Sequence, residues 1–257
     1  MHHWRHGSGP SQVLALHETG ATCEIWRRLA DSLAERAELI AFDRPGWGWT
    51  PAPEGYAKTT VGEQGNVALG IADELGLGAA TVLCGAGVGA VIALDLTLRH
   101  PDRFSGAVLI EPPLLAFVPE ATETLSADVN AIGELVAADG RAAVLDSYLD
   151  GAFGGLGGGA ERIPATARAS GAEAVTALFA EFGAVPAWEL PEARMATVPR
   201  ATMVITGADT PDLLVSAASG LATVLVRSEL RRTGPGLPHH DQAAEVADLI
   251  TELAESA

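Results

Sequence analysis

Short apolar runs alternate along this chain with stretches in which apolar residues recur every three or four positions. The runs predict buried strands, and the wider spacing predicts helices. The predicted strands cover residues 13–17, 38–43, 81–84, 106–111, 201–206 and 228–232. The predicted helices cover residues 24–35, 61–75, 88–99, 212–222 and 241–256. This α/β alternation is typical of a mostly parallel sheet with helices on both faces.

Residues 114–198 interrupt the alternation. They show helical patterns and a glycine-rich stretch at 151–159, without a convincing strand. That stretch has no lysine and no strand-to-helix context, so it predicts a turn rather than a phosphate-binding loop. We therefore predict a core formed by residues 1–113 and 199–257, with residues 114–198 inserted as a helical cap over the carboxyl edge of the sheet.

The composition argues against several classes of protein. A hydrophobic content of 48% in 257 residues suits one large α/β domain, and a net charge of −17 argues against nucleic-acid binding. Cys23 and Cys84 do not form a disulfide framework. No apolar run is close to the length of a membrane-spanning helix, and no signal peptide is recognisable at the start. We therefore expect a cytoplasmic protein without a membrane partner. His2, His3 and His6 lack metal-site spacing to other ligands, and no metal or cofactor is predicted.

A glycine-rich turn joins the strand at 81–84 to the helix at 88–99. It reads Gly85-Ala86-Gly87-Val88-Gly89. The layout is that of a nucleophile elbow, G-x-S-x-G, which presents a reactive side chain at the carboxyl edge of a sheet. The place of the nucleophile falls on Gly87, which has no side chain. The turn therefore predicts a fold and argues against that fold's usual chemistry.

Three other segments stand in a matching order: Leu14-Ala15-Leu16-His17, Asp43-Arg44-Pro45-Gly46-Trp47-Gly48 and Gly236-Leu237-Pro238-His239. With the elbow and the insertion, they resemble the α/β-hydrolase superfamily, in its capped esterase and haloperoxidase-like branch. The resemblance covers nearly the whole chain, although the first strand of the family is absent. It implies a site built from a nucleophile, a histidine and an acid beside an oxyanion hole.

All three triad positions that the resemblance implies are replaced. The acid's position holds Thr210, with Asp209 one residue earlier, and the histidine's position holds Gly236, with His239 nearby. If the alignment is shifted by a few residues in these loops, an acid and a histidine take the two positions. No such shift places a nucleophile at Gly87.

The oxyanion side is altered as well. Glu18 follows His17 where the resemblance implies a glycine, while Val88 still offers its backbone N–H. A carboxylate there would repel a developing oxyanion, which disfavours acyl transfer. Glu18 and His239 are instead our candidates for acid–base catalysis. The alternatives are that Glu18 pairs with an arginine or caps a helix, and that His239 caps the last helix or faces solvent.

A small-molecule pocket is predicted between the cap and the sheet. Its predicted lining is His17, Glu18, Gly87, Val88, Glu111, Tyr148, Trp188 and His239. For His17 and Glu111 the alternative is a structural role in organising loops. For the two aromatic residues it is packing within the cap.

Three functions remain open, and the first is favoured. It is a pseudo-hydrolase that binds a small apolar ligand, since fold alone does not guarantee activity. The second is a triad-independent lyase, isomerase or cyclase in which Glu18 and His239 move protons. The third is a conventional esterase, for which the sequence supplies no nucleophile. The identity of the ligand and the oligomeric state are left open by the sequence.

Overall fold

A computed structural model describes residues 1–189, 191–197 and 200–256. Among these residues, seven strands form one sheet in the order β1-β3-β2-β4-β5-β6-β7. The strands are β1 His3–His6, β2 Ser11–Leu16, β3 Ala37–Phe42, β4 Thr81–Ala86, β5 Gly106–Ile110, β6 Ala201–Thr206 and β7 Ser228–Arg232. Strand β1 is antiparallel to β3, and every other neighbouring pair is parallel. The predicted fold class is confirmed.

Helices connect the strands after β2 and also follow the last strand. They are α1 Arg27–Leu33, α2 Val61–Glu74, α3 Val88–Arg99, α4 Ala121–Asp139, α5 Arg141–Leu149, α6 Gly171–Glu181, α7 Glu192–Met195, α8 Asp212–Val224, α9 Pro238–Asp241 and α10 Ala243–Ser256. Two predicted helices are divided: a 3-10 turn at Cys23–Trp26 precedes α1, and Gln242 separates α9 from α10. No described helix has both the length and the hydropathy needed to cross a membrane.

Apolar side chains pack on both faces of the sheet. Along β2, Val13 and Ala15 belong to one buried cluster and Leu14 and Leu16 to the other. This alternation follows from the two-residue period of a strand. Because helices cover both faces, the central strands are continuous apolar runs, which is why the sequence revealed them. Strand β1 was not predicted from the sequence because it is a polar, partly buried edge strand with the sequence HWRH.

Four α-helices, α4 to α7, lie in the insertion between β5 and β6. No strand longer than a bridge occurs there among the described residues, and one isolated bridge joins Arg168 to Ala21 after β2. The predicted division into core and cap stays a prediction, and its boundary at residues 198 and 199 lies outside the described residues. We refer to residues 114–189 and 191–197 as the inserted segment.

Candidate functional site

The elbow places a glycine at the tip of a sharp strand-to-helix turn. Gly87 lies between β4 and α3 with φ 53° and ψ −125°, a conformation that favours glycine. Its N–H donates to the carbonyl of Ile110 at 2.9 Å. A Cβ atom added to Gly87 would lie only 2.7 Å from the Cβ of Glu18. Glu18 therefore closes off the space that a nucleophilic side chain would need.

Replacing Gly87 by serine is expected to destabilise the protein without producing ester hydrolysis, because the new Cβ would overlap Glu18. The variant Glu18→Gly/Gly87→Ser removes the overlapping atoms. We therefore expect the two substitutions to be non-additive, with a coupling of about 1–3 kcal/mol in the free energy of unfolding measured with urea.

The matched control for this double variant is Gly76→Ser. Gly76 also has a positive φ, of 67°, but a Cβ atom added there would have no neighbour within 4 Å. The change in the free energy of unfolding of Gly76→Ser therefore measures backbone strain without overlap. Two results together would contradict the overlap. Gly87→Ser and Gly76→Ser would lower the free energy of unfolding equally, and the effects of Gly87→Ser and Glu18→Gly would simply add.

Glu18 and His239 meet at the carboxyl edge of the sheet, Glu18 from the loop after β2 and His239 from α9. Glu18 Oε1 lies 3.3 Å from His239 Nε2, and the His239 side chain is 1% exposed. The imidazole packs on the Trp26 ring, with the ring centroids 4.6 Å apart. The structure thus brings together both residues that the sequence singled out for acid–base chemistry.

Electrostatics at this pair favour an ionised Glu18. Burial is the largest single influence on Glu18 and raises its pKa, but the lowering influences together, led by the nearby His239, outweigh burial, and the pKa lies below its usual value. Among the described residues, neither carboxylate oxygen of Glu18 nor either ring nitrogen of His239 has a well-aligned hydrogen bond. Buried polar groups left this way are uncommon and call for an explanation, such as a reacting partner.

Glu111 occupies the neighbouring strand end and is held in place by other residues. It follows β5 with φ 48°, and Arg162 of the inserted segment donates two hydrogen bonds to its carboxylate, of 3.0 and 2.7 Å. The Thr210 hydroxyl donates to Glu111 and accepts from the N–H of Gly207 at 2.6 Å. Thr210 stands at the position where the resemblance implies the acid of the triad. Its hydroxyl therefore helps to hold in place a carboxylate that follows another strand. Arg162 carried no signal in the sequence.

The loop at the histidine's position has a structural role. The N–H of Gly236 donates to Asp209 Oδ2 at 2.9 Å, and Asp209 is exposed. Asp209 thus fixes this loop from outside. His239, three residues after Gly236, is the residue that places an imidazole in the site.

Two joined compartments lie between the sheet and the inserted segment. The polar compartment is lined by Glu18, Gly87, Glu111, Arg162 and His239, among others. The apolar compartment is lined by residues that include Leu114, Leu125, Phe182, Val185 and Trp188. Both share Thr19, Val88, Pro113, Tyr148, Gly155 and Leu156. The apolar compartment has a cavity volume of about 110 Å³ and is partly open to solvent, which suits a small apolar group.

His17 corrects the predicted lining, because it lines neither compartment. Its ring is fully buried, with Nδ1 2.8 Å from the carbonyl of Glu18 and Nε2 accepting from the N–H of Arg44 at 3.1 Å. Burial and the nearby Arg44 guanidinium lower the pKa of His17 to about 4. His17 therefore ties two loops together as a neutral ring. The other seven residues predicted to line the pocket do line the compartments.

A buried ionic cluster joins the inserted segment to the sheet. Arg44 forms an ion pair with Glu181 at the end of α6, and both side chains are at most 2% exposed. Glu181 also accepts from Trp47 Nε1 and the Thr19 hydroxyl at 2.8 Å, and from Gln64 Nε2 at 3.2 Å. Since Thr19 and Glu181 both line the apolar compartment, this cluster fixes one of its walls.

The structure also corrects the expectation that the N-terminal histidines have no partners at metal-site spacing. The ligand atoms of His2, Cys23 and Glu24 lie within 4.8 Å of one another. However, Arg27 donates two hydrogen bonds of 2.9 Å to Glu24, and burial raises the pKa of the Cys23 thiol well above its usual range. A thiolate ligand is disfavoured there, and we assign no metal to this group.

Comparison with known proteins places the chain in a family. A family model of the alpha/beta hydrolase fold matches residues 13–149, more than half of the 257-residue chain. Together with the sheet order and the elbow, this shows that the chain belongs to the alpha/beta hydrolase family.

Particular relatives include esterases. A pimeloyl-[acyl-carrier protein] methyl ester esterase from Edwardsiella ictaluri is 28% identical over 104 residues, which are 40% of this chain and 37% of the relative. The dihydrolipoyllysine-residue acetyltransferase component of an acetoin cleaving system from Cupriavidus necator is 32% identical over 108 residues, 42% of this chain and 28% of the relative. The chain thus spans about a third of the length of these curated relatives.

Solved structures match over almost the whole chain. A thermophilic esterase from Thermogutta terrifontis has a TM-score of 0.76 at 18% identity, covering 99% of this chain and 93% of its own. MenH from S. aureus has a TM-score of 0.76 at 14% identity, covering 99% and 98%. At these identities the likeness shows the fold alone.

Proposed function

We propose that this protein is an acid–base enzyme built on the α/β-hydrolase fold, in which Glu18 and His239 move a proton on a small, largely apolar substrate. The observation that supports the proposal is the buried contact of 3.3 Å between Glu18 Oε1 and His239 Nε2. The pair lines a polar compartment that opens into an apolar one.

The pair has the chemistry that proton transfer needs. Glu18 is an ionised carboxylate whose oxygens are shielded from water and free of well-aligned hydrogen bonds. Its lowered pKa keeps the carboxylate in the ionised form that can accept a proton, and no solvent shell has to be removed first. His239 lies close enough to share that proton. The pair takes a proton when His239 is neutral and returns one when His239 is charged.

The reaction class follows from what surrounds the pair. Gly87 supplies no nucleophile, and Glu18 takes the space that one would need. Chemistry that removes and returns a proton without an acyl-enzyme fits these residues, as in an isomerase, a lyase or a cyclase. Binding beside preoriented groups would provide the rate acceleration.

A non-catalytic binding protein is the second candidate, and the inflexible setting of Glu111 favours it. Arg162 and Thr210 hold that carboxylate in fixed hydrogen bonds. A rigid polar floor beneath an apolar compartment suits a ligand that is bound and released unchanged.

Exchange of carbon-bound hydrogen for deuterium would test the proposal. Small apolar compounds with weakly acidic C–H bonds would first be selected for binding by quenching of tryptophan fluorescence, then incubated with the protein in D2O and followed by NMR. We expect the protein to catalyse exchange, and Glu18→Gln to slow it at least about a hundredfold because the isosteric amide cannot accept the proton.

Glu74→Gln is the matched control, because Glu74 is exposed at the end of α2 and should leave exchange unchanged. Compounds that bind without exchanging would favour the binding protein. Covalent labelling of a unique side chain by a fluorophosphonate probe, with brisk ester hydrolysis, would instead establish a conventional esterase and overturn the proposal.

A further inference from the structure

We infer that Tyr148 is the hydrogen-bond donor to the oxygen of the substrate, and that this substrate is a neutral carbonyl compound with an apolar group. The inference rests on the proposed acid–base function. It assigns the oxygen of the substrate to the junction of the two compartments and its apolar group to the side of Leu114, Phe182 and Trp188.

Tyr148 has a fixed place at that junction. It lies on α5 and lines both compartments with 6% of its surface exposed. A Cβ added to Gly20 or to Gly157 would lie 3.2 Å from opposite edges of the ring. Glycines on both sides therefore let the backbone close around the ring and fix its direction.

The hydroxyl of Tyr148 remains a donor. Burial raises the pKa of Tyr148 well above its usual value, and the carboxylates of Glu181 and Glu18 raise it further. The hydroxyl interacts with Thr19, whose own proton goes to Glu181. Among the hydrogen bonds of the described residues, none joins the Tyr148 hydroxyl to a carboxylate. Because Thr19 gives its own proton to Glu181, its oxygen can only accept from Tyr148, so a substrate oxygen would take the Tyr148 proton in place of Thr19.

Charge in the polar compartment selects a neutral substrate. Glu18 and Glu111 both contribute carboxylates, and the two terminal nitrogens of Arg162 are already bound to Glu111. An anionic group would find no unbalanced positive charge in the lining of this compartment, because Arg162 is paired with Glu111 and His239 with Glu18. A neutral oxygen acceptor suits the phenol instead.

A carbonyl is the neutral oxygen that makes the proton transfer possible. The Glu18–His239 pair takes a proton from the carbon next to the carbonyl, and the electron pair of the broken C–H bond forms a C=C bond. The carbonyl π electrons move to the oxygen, where the Tyr148 hydroxyl stabilises the charge. Return of the proton to the same carbon or to a conjugated one restores the carbonyl, so no further reactant is required.

The infrared spectrum of a bound ketone tests this assignment without requiring turnover. Acetophenone labelled with ¹³C at the carbonyl would be added to the protein and its C=O stretch compared with that in hexane. We expect a shift to lower wavenumber in the wild type and in Tyr56→Phe, and its loss in Tyr148→Phe. Tyr56 is the other of the two tyrosines, and its hydroxyl accepts from Gln64 at 2.8 Å outside the compartments.

Affinity provides a second measurement. Tyr148→Phe should weaken binding of acetophenone about five- to tenfold but leave binding of ethylbenzene, which lacks the oxygen, unchanged. An unaltered C=O shift in Tyr148→Phe, an equal loss for both ligands, or failure of the wild type to bind the ketone would overturn the assignment.

The two proposals fail in different ways. A C=O shift that depends on Tyr148, combined with deuterium exchange that Glu18→Gln leaves unchanged, would disprove the acid–base function while the oxygen subsite stands. Exchange that depends on Glu18 but not on Tyr148 would disprove the subsite alone.

Discussion

Replacing Glu181 by glutamine is expected to lower the free energy of unfolding by about 3–5 kcal/mol, because it leaves Arg44 as an uncompensated buried charge. Both partners of this ion pair are at most 2% exposed. The amide keeps the volume of the side chain, so the effect reports charge rather than a cavity. Trp47 and Thr19 would also lose a charged acceptor. Urea unfolding would measure the loss.

A surface pair is the control for Glu181→Gln. Asp73 is 65% exposed and lies 2.6 Å from Arg103, and Asp73→Asn should cost less than about 1 kcal/mol because solvent screens the pair. The variant Arg44→Met/Glu181→Leu removes both buried charges and should recover part of the loss. If Glu181→Gln and Asp73→Asn lowered the free energy of unfolding equally, the buried pair would be no more important for stability than the surface pair.

Acidification from pH 6.5 to pH 4 is expected to reduce the free energy of unfolding by about 3 kcal/mol through His17 alone. The pKa of His17 is about 4 in the folded protein, against 6.5 for an unperturbed histidine. The unfolded chain therefore binds the proton first as the pH falls. The contribution of His17 is fully present above pH 6.5, is lost on the way to pH 4, and changes little below that. Protonation of Nε2 would also break its hydrogen bond from Arg44.

Urea unfolding at a series of pH values from 7.5 to 4 would measure this dependence. His17→Asn should flatten the curve in that range, although it lowers stability at neutral pH by removing two loop contacts. The control is His6→Asn, since His6 is exposed and should leave the slope unchanged. The same slope in His17→Asn as in the wild type would mean that another group is responsible.

Two departures from the α/β-hydrolase pattern share one geometric reason. Glu18 was predicted as an intrusion on the oxyanion side, and Gly87 as a missing nucleophile. In the structure, Glu18 Cβ lies where a side chain on residue 87 would begin. The two substitutions therefore depend on each other, and neither is readily reversed alone.

Parts of the site followed from the sequence because local spacing determines them. Strand ends of a parallel sheet meet at one edge, which is why Glu18, Gly87 and Glu111 were expected near one another. His239 was expected there from its place before the last helix. Its direct contact with Glu18 depended on the path of the loop at 233–237, which spacing does not describe.

The sequence by itself determined six of the seven described strands, the elbow and the absence of a side chain at Gly87, because apolar periodicity and glycine placement act over a few residues. Only the tertiary structure decided the pairing of Arg162 with Glu111 and of Arg44 with Glu181, which join positions 51 and 137 residues apart. It also decided that His17 is a buried connector rather than a pocket residue. The physical reason is that a periodic pattern reports which face of an element is buried, whereas ion pairs and cavities depend on which distant loops meet when the chain folds.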